Sequence, residues 1–331
     1  MKRLFLGITW IVVVVGVLFW IFALNPTRPK SFTYGVSFSR FHSDELHLDW
    51  KKVYLAVLDD LKVRNFRFSA HWPLTEPARD QFNFQELDFQ MHEAENRKAQ
   101  VILAVGRRLP GWPECHIPDW AKNLSNDELQ ARILKYIDIV VRRYRDSSAL
   151  EYWQVENEPY LTLFSKQACG GNLDEEFLKK EINLVRSLDP GRPILLTDSG
   201  ELSTWYSPYK NSDVFGTSIY LYIWNRTIGQ LRYPIGPWFF QAKRNLMKLL
   251  VGDKPSLVIE LSAEPWLLNP IVDTPVDVQL SQMNKDRFNE ILDFSKQTGF
   301  DRFYLWGVEW WYWMKENQNH PEFWDTARGV F

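Results

Sequence analysis

The chain has 331 residues, of which 45% are hydrophobic and 24% are charged, and its formal net charge at pH 7 is −2. This composition can support a sizeable core in one large domain or in two ordinary ones. Acidic and basic residues are spread along the chain without a basic patch, which argues against a nucleic-acid partner. Tryptophan is abundant, with 16 residues, and an excess of large aromatic rings favours a groove that stacks against flat, partly apolar ligands.

The N-terminal run from Leu4 to Leu24 contains no charged residue, and it is long enough for a helix to span a bilayer. Basic residues lie on both sides of it, so the orientation is only weakly biased: Lys2, Arg3, Arg28 and Lys30. A signal peptide would have a shorter apolar region and a small-residue cleavage site. We therefore predict that residues 1–30 form an uncleaved membrane anchor, in contact with the lipid bilayer through residues 4–24, and a short linker. A cleaved signal is the alternative, and both place residues 31–331 outside the cytoplasm.

From residue 31 onward, short β-rich runs alternate with amphipathic helical patterns. The predicted strands cover residues 34–39, 65–70, 101–106, 152–156, 193–198, 214–220, 256–261 and 303–308. Helical patterns cover residues 48–63, 125–144, 174–191 and 278–300, and the second opens with Ser125 and Glu128 at capping-box spacing. Several strands are apolar on both faces, as parallel strands covered by helices are.

Eight strands alternating with helices predict a single (β/α)8 barrel over residues 31–331. The alternative is an open, doubly wound sheet. That fold would need a glycine-rich phosphate-binding turn after an early strand, and the sequence has none there.

Polar and aromatic residues gather where the predicted strands end. Because the chemistry of a (β/α)8 barrel lies at the C-terminal ends of its strands, these residues are the candidates for a site. Glu156, Asn157 and Glu158 leave the fourth strand and are followed by Pro159, and Glu260 ends the seventh strand. The other candidates are Arg67, His71, Trp72, Tyr220, Trp266, Trp306 and Glu309. Charged groups in such positions are costly to bury unpaired, so we expect them at the opening of a pocket.

The set Asn157-Glu158-Pro159 on strand four, Glu260 on strand seven and Arg67 on strand two resembles the retaining glycoside hydrolases of clan A, the 4/7 superfamily. The resemblance covers most of residues 31–331, and it is closest to the cellulase-like family 5 and its relatives. It implies that Glu158 is the acid/base and that Glu260 is the nucleophile.

The same resemblance implies roles for four neighbours. Asn157 would bind the sugar 2-hydroxyl, and Arg67 would steady the nucleophile. Tyr220 would hydrogen-bond to the nucleophile, and Trp306 would lie under the sugar bound at the cleavage point. His71, Trp72, Trp266 and Glu309 are further substrate-binding candidates because they also follow strand ends.

Apart from the family resemblance, the residue types and their spacing are consistent with this chemistry. Retaining cleavage needs one carboxylic acid to protonate the leaving oxygen and one carboxylate to attack the anomeric carbon. About a hundred residues separate Glu158 from Glu260, which is consistent with three intervening βα units. We expect Arg67 to supply positive charge to Glu260, and we expect Glu158, in a more apolar setting, to hold its proton longer.

Several assignments have alternatives. Glu264 competes with Glu260 for the role of nucleophile, and Glu156 competes with Glu158 for that of the acid. Glu309 would either bind a sugar hydroxyl beside Trp306 or pair with an arginine. Strand three ends in Gly106-Arg107-Arg108 and strand six in Ser218-Ile219-Tyr220. Family 5 usually has a histidine near the first position and His-x-Tyr at the second, so the subfamily and substrate stay open.

Cys115 and Cys169 are the only cysteines, and they fall in the third and fourth βα loops. These loops are neighbours in a barrel, so a disulfide is a candidate, the alternative being two free thiols. No metal site or cofactor is predicted, because the six histidines form no HExxH motif and no CxxC pair is present.

The sequence therefore predicts a retaining β-glycoside hydrolase that acts on a β-linked oligo- or polysaccharide. The alternatives are a non-catalytic carbohydrate-binding barrel and a transglycosylase that uses the same carboxylates.

Overall fold

The computed structural model describes residues 7–17, 29–111, 114–161, 169, 174–225, 227 and 229–331. Eight parallel strands form a closed barrel in the order β1-β10-β9-β6-β5-β4-β3-β2. They are β1 (Thr33–Ser37), β2 (Asn65–Ser69), β3 (Gln100–Val105), β4 (Leu150–Val155), β5 (Ile194–Asp198), β6 (Val214–Ile219), β9 (Ser256–Ser262) and β10 (Arg302–Trp306). The antiparallel pair β7 (Tyr222–Asn225) and β8 (Gly229–Arg232) lies outside the barrel, between β6 and β9 in the chain.

The predicted (β/α)8 barrel is therefore confirmed, and each of the eight predicted strands overlaps a strand of the barrel. The helices described after residue 28 are Arg40–Glu45, Trp50–Asp59, Trp72–Thr75, Gln85–Asn96, Asn126–Tyr144, Glu175–Leu188, Tyr206–Asn211, Pro237–Val251, Val276–Gln282, Lys285–Ser295, Val308–Asn317 and Glu322–Ala327. The predicted capping box is present, because the Ser125 side chain accepts from the Glu128 backbone and the Glu128 carboxylate accepts from the Ser125 backbone.

The helix predicted over residues 278–300 is divided into two. Met283 leaves the helical conformation, and the Asn284 side chain caps the second helix by accepting a hydrogen bond from the Arg287 backbone N–H at 3.0 Å. An asparagine that bonds to the backbone three residues ahead stabilises a new helix start better than a helix interior.

The core has two parts. A large apolar cluster packs the outer faces of the strands against the helices. A smaller one, of Ile102, Leu195, Val214, Leu257, Ile259 and Tyr304, fills the barrel interior. Arg67 pairs in register with Ile102, and Gln154 pairs with Leu195. Paired residues of neighbouring strands share a face, so the inward-facing side chains change from apolar to polar toward the C-terminal ends of the strands.

The N-terminal segment is described only in part. Residues 7–17 form an exposed helix, and the other residues of the predicted 4–24 span lie outside the described residues. In the part of the chain that the structure describes, no helix is both long enough and apolar enough to cross a membrane. The structure therefore does not support the predicted transmembrane helix or contact with a bilayer.

Candidate active site

Arg67 is the centre of the polar cluster at the C-terminal mouth of the barrel. Its side chain is 1% exposed, and it donates three hydrogen bonds with a different nitrogen in each. Nε contacts Gln154 Oε1 at 2.8 Å, Nη1 contacts Glu260 Oε1 at 2.5 Å, and Nη2 contacts Asn157 Oδ1 at 2.7 Å. A guanidinium is rigid and planar, so these contacts fix the β4 and β9 sides of the mouth relative to each other.

Glu158 lies beside this cluster and is buried. Its backbone N–H donates to Thr197 Oγ1 at 2.8 Å, and its Oε1 accepts from the Ser218 hydroxyl at 2.8 Å. Burial raises the pKa of Glu158 well above its usual range, and the negative charges of Glu260 and Glu114 add to this effect. The Ser218 hydrogen bond opposes the rise in pKa only in part. Glu158 therefore keeps its proton to higher pH than an exposed glutamate does.

Glu260 has the opposite surroundings. One carboxylate oxygen accepts from Arg67, and the other accepts from the Tyr220 hydroxyl at 2.8 Å. Two donors, one of them cationic, thus hold the Glu260 carboxylate in one orientation. The Trp266 ring stands edge-on to the Tyr220 ring at 5.1 Å and is 39% exposed at the rim. The mouth thus holds one carboxyl group whose pKa is raised, Glu158, and one that is paired with Arg67 and Tyr220, Glu260.

The end of β4 is a strained turn. Glu156 and Glu158 have φ values of 57° and 44°, in the left-handed region that side chains other than glycine seldom adopt. The buried Glu156 carboxylate accepts the backbone N–H groups of Arg107 and Arg108 at 3.0 and 2.6 Å. Gly106 is required beside it, because a Cβ there would lie 2.5 Å from the Glu156 carboxyl carbon. Glu156 therefore secures the base of the third loop, and Glu158 projects into the mouth.

Glu181 forms a buried acidic pair with Glu156. Among the described residues, neither of its carboxylate oxygens has a hydrogen-bond partner by strict geometry. Burial, and then the charge of Glu156, raise the pKa of Glu181 well above its usual range. Burial also raises the pKa of Glu156, though less far, so Glu181 is the member of the pair that keeps its proton to higher pH.

We expect Glu181→Gln to stabilise the protein at alkaline pH. Because the folded-state pKa of Glu181 is raised, the stability of its neutral form is present at low pH and is lost as pH rises through that pKa. The neutral amide removes this loss, so the free energy of unfolding should rise by about 1–3 kcal/mol near pH 8 and change little near pH 5. Urea unfolding at both pH values tests this. An equal change at both would contradict it.

Glu264, the competing candidate for nucleophile, contacts Trp306 and His42 at the mouth of the barrel. Its Oε1 accepts from the Trp306 indole N–H at 2.7 Å, and its Oε2 contacts His42 Nε2 at 2.8 Å. The His42 ring also stacks on Trp306, with ring centroids 6.4 Å apart. Glu264 is thus engaged in orienting Trp306, and it is Glu260 that contacts Arg67.

Glu309 matches neither of the two roles considered for it. It is 1% exposed, and its Oε1 accepts the Ser39 backbone N–H at 2.5 Å. No hydrogen bond joins it to Arg67 or Arg107 among the described residues. Burial raises its pKa to about 7, and the positive charge of His42 opposes this rise. Through its hydrogen bond to Ser39, Glu309 therefore holds the loop that follows β1.

Two predicted substrate-binding residues are not at an open surface. Trp72 is 0% exposed; its ring packs between Trp120 and Tyr136, and its indole N–H donates to Glu76 at 2.7 Å. His71 is 3% exposed, beneath Phe41 and His116. The prediction was wrong for Trp72 because the chain enters a short helix directly after β2 and turns this side chain into the core. His71 is covered by Phe41 and His116 from neighbouring loops, and the sequence alone does not indicate which loops pack over it.

Cys115 and Cys169 form a disulfide with a Cα–Cα distance of 5.3 Å, and it joins the third and fourth loops. Arg108 links the same loops, because its Nη1 donates to the carbonyls of Glu158 and Leu161 at 3.0 and 2.9 Å. The bridge closes 54 residues.

We expect Cys115→Ser/Cys169→Ser to lower the free energy of unfolding by about 3–4 kcal/mol, from the loop-closure entropy that the bridge removes from the unfolded chain. Urea unfolding of the double variant, beside oxidised and reduced wild type, measures the effect. If all three proteins unfold at the same urea concentration, the bridge makes no contribution to stability.

Sequence reasoning missed three groups that complete the site. They are Ser218, which contacts Glu158; Thr197, which contacts both Asn157 and Glu158; and Glu114, whose charge acts on Glu158. Ser218 and Thr197 occupy strand positions that alternate inward, so strand periodicity could have found them. Glu114 lies in a long loop, where no periodicity indicates direction.

Comparison with known proteins agrees with this geometry. Residues 51–198 match the model of glycosyl hydrolase family 10. Mannan endo-1,4-beta-mannosidase F of Aspergillus fumigatus is 26% identical over 142 residues, which are 39% of this chain and 31% of the relative. Mannan endo-1,4-beta-mannosidase A of Emericella nidulans is 25% identical over 142 residues, 39% of this chain and 34% of the relative. The chain thus spans about a third of the length of these relatives.

Solved structures share the fold. The GH5_18 protein of Bifidobacterium longum subsp. longum superposes with a TM-score of 0.57 at 13% identity, over 84% of this chain and 70% of that one. A beta-galactosidase of Halorubrum lacusprofundi has a TM-score of 0.56 at 16% identity, over 83% of this chain and 52% of that one. The resemblance drawn from Asn157, Glu158, Glu260 and Arg67 is confirmed by the family match over residues 51–198 and by the barrel.

Proposed function

We propose that the protein is a retaining β-glycoside hydrolase that cleaves β-linked oligo- or polysaccharides through a covalent glycosyl-enzyme. The observation that carries this proposal is the double contact of Arg67, which holds Glu260 with one nitrogen and Asn157, the neighbour of Glu158, with another. Through this side chain, two carboxyl groups from distant parts of the sequence face one mouth. Their different surroundings match the two different roles that retention requires.

In the first step, Glu260 attacks the anomeric carbon while Glu158 donates its proton to the leaving oxygen. The C–O bond to the leaving group breaks, and an ester bond to Glu260 forms. Arg67 and Tyr220 hold the Glu260 carboxylate in one orientation for this attack. Loss of negative charge at Glu260 in the ester lowers the pKa of Glu158, so Glu158 can then act as a base.

In the second step, Glu158 takes a proton from water, and the water oxygen attacks the anomeric carbon from the side that the leaving group vacated. The ester bond to Glu260 breaks, and Glu158 regains its proton. Two displacements at one carbon leave its configuration unchanged. Trp306, held by Glu264, is positioned to stack on the apolar face of the sugar.

We propose β-1,4-mannosides as the first substrates to test, because the matched relatives are named mannan endo-1,4-beta-mannosidases. A neighbour in fold is named a beta-galactosidase, so β-galactosides belong in the same panel.

The mechanism is tested with aryl β-glycosides and a 2-deoxy-2-fluoro glycoside. NMR of the first product should show the β anomer, and peptide mass mapping after trapping should find the sugar on Glu260. An α anomer as first product would overturn retention, and binding without turnover would favour a carbohydrate-binding barrel. A sugar acceptor that captures most of the product would favour transglycosylation.

We also propose that residues 31–331 act outside the cytoplasm, tethered by the uncharged run 4–24 or released by its cleavage. The Cys115–Cys169 disulfide supports an oxidising compartment. Fractionation with an antibody to the barrel, before and after protease treatment of intact cells, tests this. A protease-resistant protein in the cytosolic fraction would contradict it.

A further inference from the structure

Lys243 is a buried cation that neither step of the proposed mechanism uses. It lies in the helix Pro237–Val251 and is 9% exposed. Its Nζ donates to the backbone carbonyls of Gly200 and Ser203 at 2.6 and 2.8 Å, and it stands 4.1 Å from the centroid of the Trp205 ring. A buried ammonium group is costly unless it is bonded in this way. Lys243 therefore holds the loop that follows β5.

The loop that Lys243 holds, residues 199–203, reaches Glu158 through Ser218. The Gly200 backbone N–H donates to Ser218 Oγ at 3.4 Å, and the Ser218 hydroxyl donates to Glu158 Oε1 at 2.8 Å. The two backbones are close together, because a Cβ at Gly200 would overlap the Ser218 carbonyl oxygen. The Gly200 carbonyl is thus fixed by Lys243, while the N–H of the same residue orients the hydroxyl that bonds the acid.

The same loop reaches Glu260 through Tyr220. Glu201 Oε1 accepts the Tyr220 backbone N–H at 3.2 Å, and the Tyr220 hydroxyl donates to Glu260 Oε2 at 2.8 Å. Glu201 follows Gly200 directly in the chain, so the carbonyl bonded by Lys243 and the carboxylate that holds Tyr220 belong to neighbouring residues. The loop therefore supports the hydrogen-bond partners of both carboxyl groups.

We propose that Lys243 is a positioning residue for the reaction: by holding the loop after β5, it keeps Ser218 and Tyr220 in place against the two carboxyl groups. The proposal rests on the proposed function and adds to it a residue from a helix, where the strand-end rule does not look. Such a residue can have a large effect, because a misplacement of about 1 Å in reacting groups can cost about 100-fold in rate.

Lys243→Met removes the ammonium group and keeps an unbranched side chain. On a phenyl β-glycoside, whose leaving group needs a proton, kcat/KM should fall by roughly 10–100-fold. The fall should lie in kcat rather than KM, because the groups that move act on the reacting bond, whereas Trp306 is held separately by Glu264. Steady-state kinetics on the sugar that the wild type prefers measure both constants.

Two further rates measure the two carboxyl groups separately. A dinitrophenyl β-glycoside and its 2-deoxy-2-fluoro analogue have leaving groups that need no proton, so turnover of the first and inactivation by the second depend on Glu260. Both rates should fall in Lys243→Met, because Tyr220 is loosened. The phenyl glycoside should lose more than the dinitrophenyl glycoside, because loosening of Ser218 displaces the acid Glu158 as well.

Lys248→Met is the matched control. Lys248 lies on the same helix and pairs with Asp253 at 3.0 Å, so its loss should change none of these rates. Lys243→Gln is a second variant of the proposed residue, and its amide keeps a hydrogen-bond donor. It should show the same pattern as Lys243→Met with a smaller loss. Each protein is the full chain, assayed under conditions in which urea unfolding shows it to be folded.

Wild-type rates in folded Lys243→Met or Lys243→Gln would overturn the inference and leave the hydrolase assignment intact. An equal fall in the phenyl, dinitrophenyl and inactivation rates would also overturn it, because a smaller amount of folded enzyme lowers all three by one factor. A rise in KM at constant kcat would place Lys243 in sugar binding instead. Wild-type protein that neither turns over an aryl glycoside nor is inactivated would overturn the proposed function itself.

Discussion

Glu260→Ala should reduce kcat/KM on aryl β-glycosides by on the order of 10⁴-fold or more, because no covalent intermediate can form without the carboxylate. Sodium azide should restore part of the activity by entering the space that the side chain vacates. Azide then attacks from the Glu260 side in a single displacement, so the product should be the glycosyl azide of inverted configuration. Steady-state kinetics and NMR of the azide product measure both effects.

Glu264→Gln is the matched control for this experiment. Glu264 follows Glu260 by four residues in the chain, but it holds Trp306 and His42 and not Arg67. Its loss should weaken substrate binding, with a far smaller change in kcat. If Glu264→Gln removes activity and Glu260→Ala retains it, the two glutamates have been assigned to the wrong roles.

Glu158→Ala should lower kcat/KM by about 10²–10⁴-fold for substrates with poor leaving groups, because the leaving oxygen then departs without a proton. Substrates with acidic phenol leaving groups should lose much less in this first step. Their glycosyl-enzyme should accumulate as a burst, because water lacks a base in the second step. Azide attacks from the vacated Glu158 side, so here the glycosyl azide should retain the substrate's configuration.

The pH profile gives a second measurement of Glu158. Activity requires Glu158 to be protonated, so in the wild type it should fall as pH rises through the raised pKa of Glu158. Glu158→Gln should lose this alkaline limb. A bell-shaped profile that is the same in wild type and Glu158→Gln would show that another group supplies the proton.

The contacts of Arg67 with Glu260 and Asn157 have a structural consequence. Arg67 is buried in the barrel interior and is satisfied by groups from both β4 and β9. Such a network is worth most when every member is paired, and it becomes costly when one is removed. Substitution of Arg67 would therefore combine a loss of stability with a loss of activity. For this reason the single carboxylates are the clearer tests.

Much of the fold could be predicted from local patterns. Strands such as 101–106 and 256–261 are apolar on both faces, which only a sheet covered on both sides accommodates. The capping box at Ser125 and Glu128 fixes a helix start within its own few residues. Strand ends then indicate the site, because parallel strands in a barrel all end on the same side. That rule predicts a common location at one end of the barrel for Arg67, Asn157, Glu158, Tyr220 and Glu260.

The amino-acid sequence by itself determined the barrel, the end of it that carries the polar residues and the pair of carboxylates, because each follows from short-range periodicity and from where a strand stops. Only the tertiary structure decided that Trp72 is buried and that Glu264 contacts Trp306 and His42. These outcomes depend on which segments, distant in sequence, pack against each other. The local periodicity of side chains does not indicate that packing.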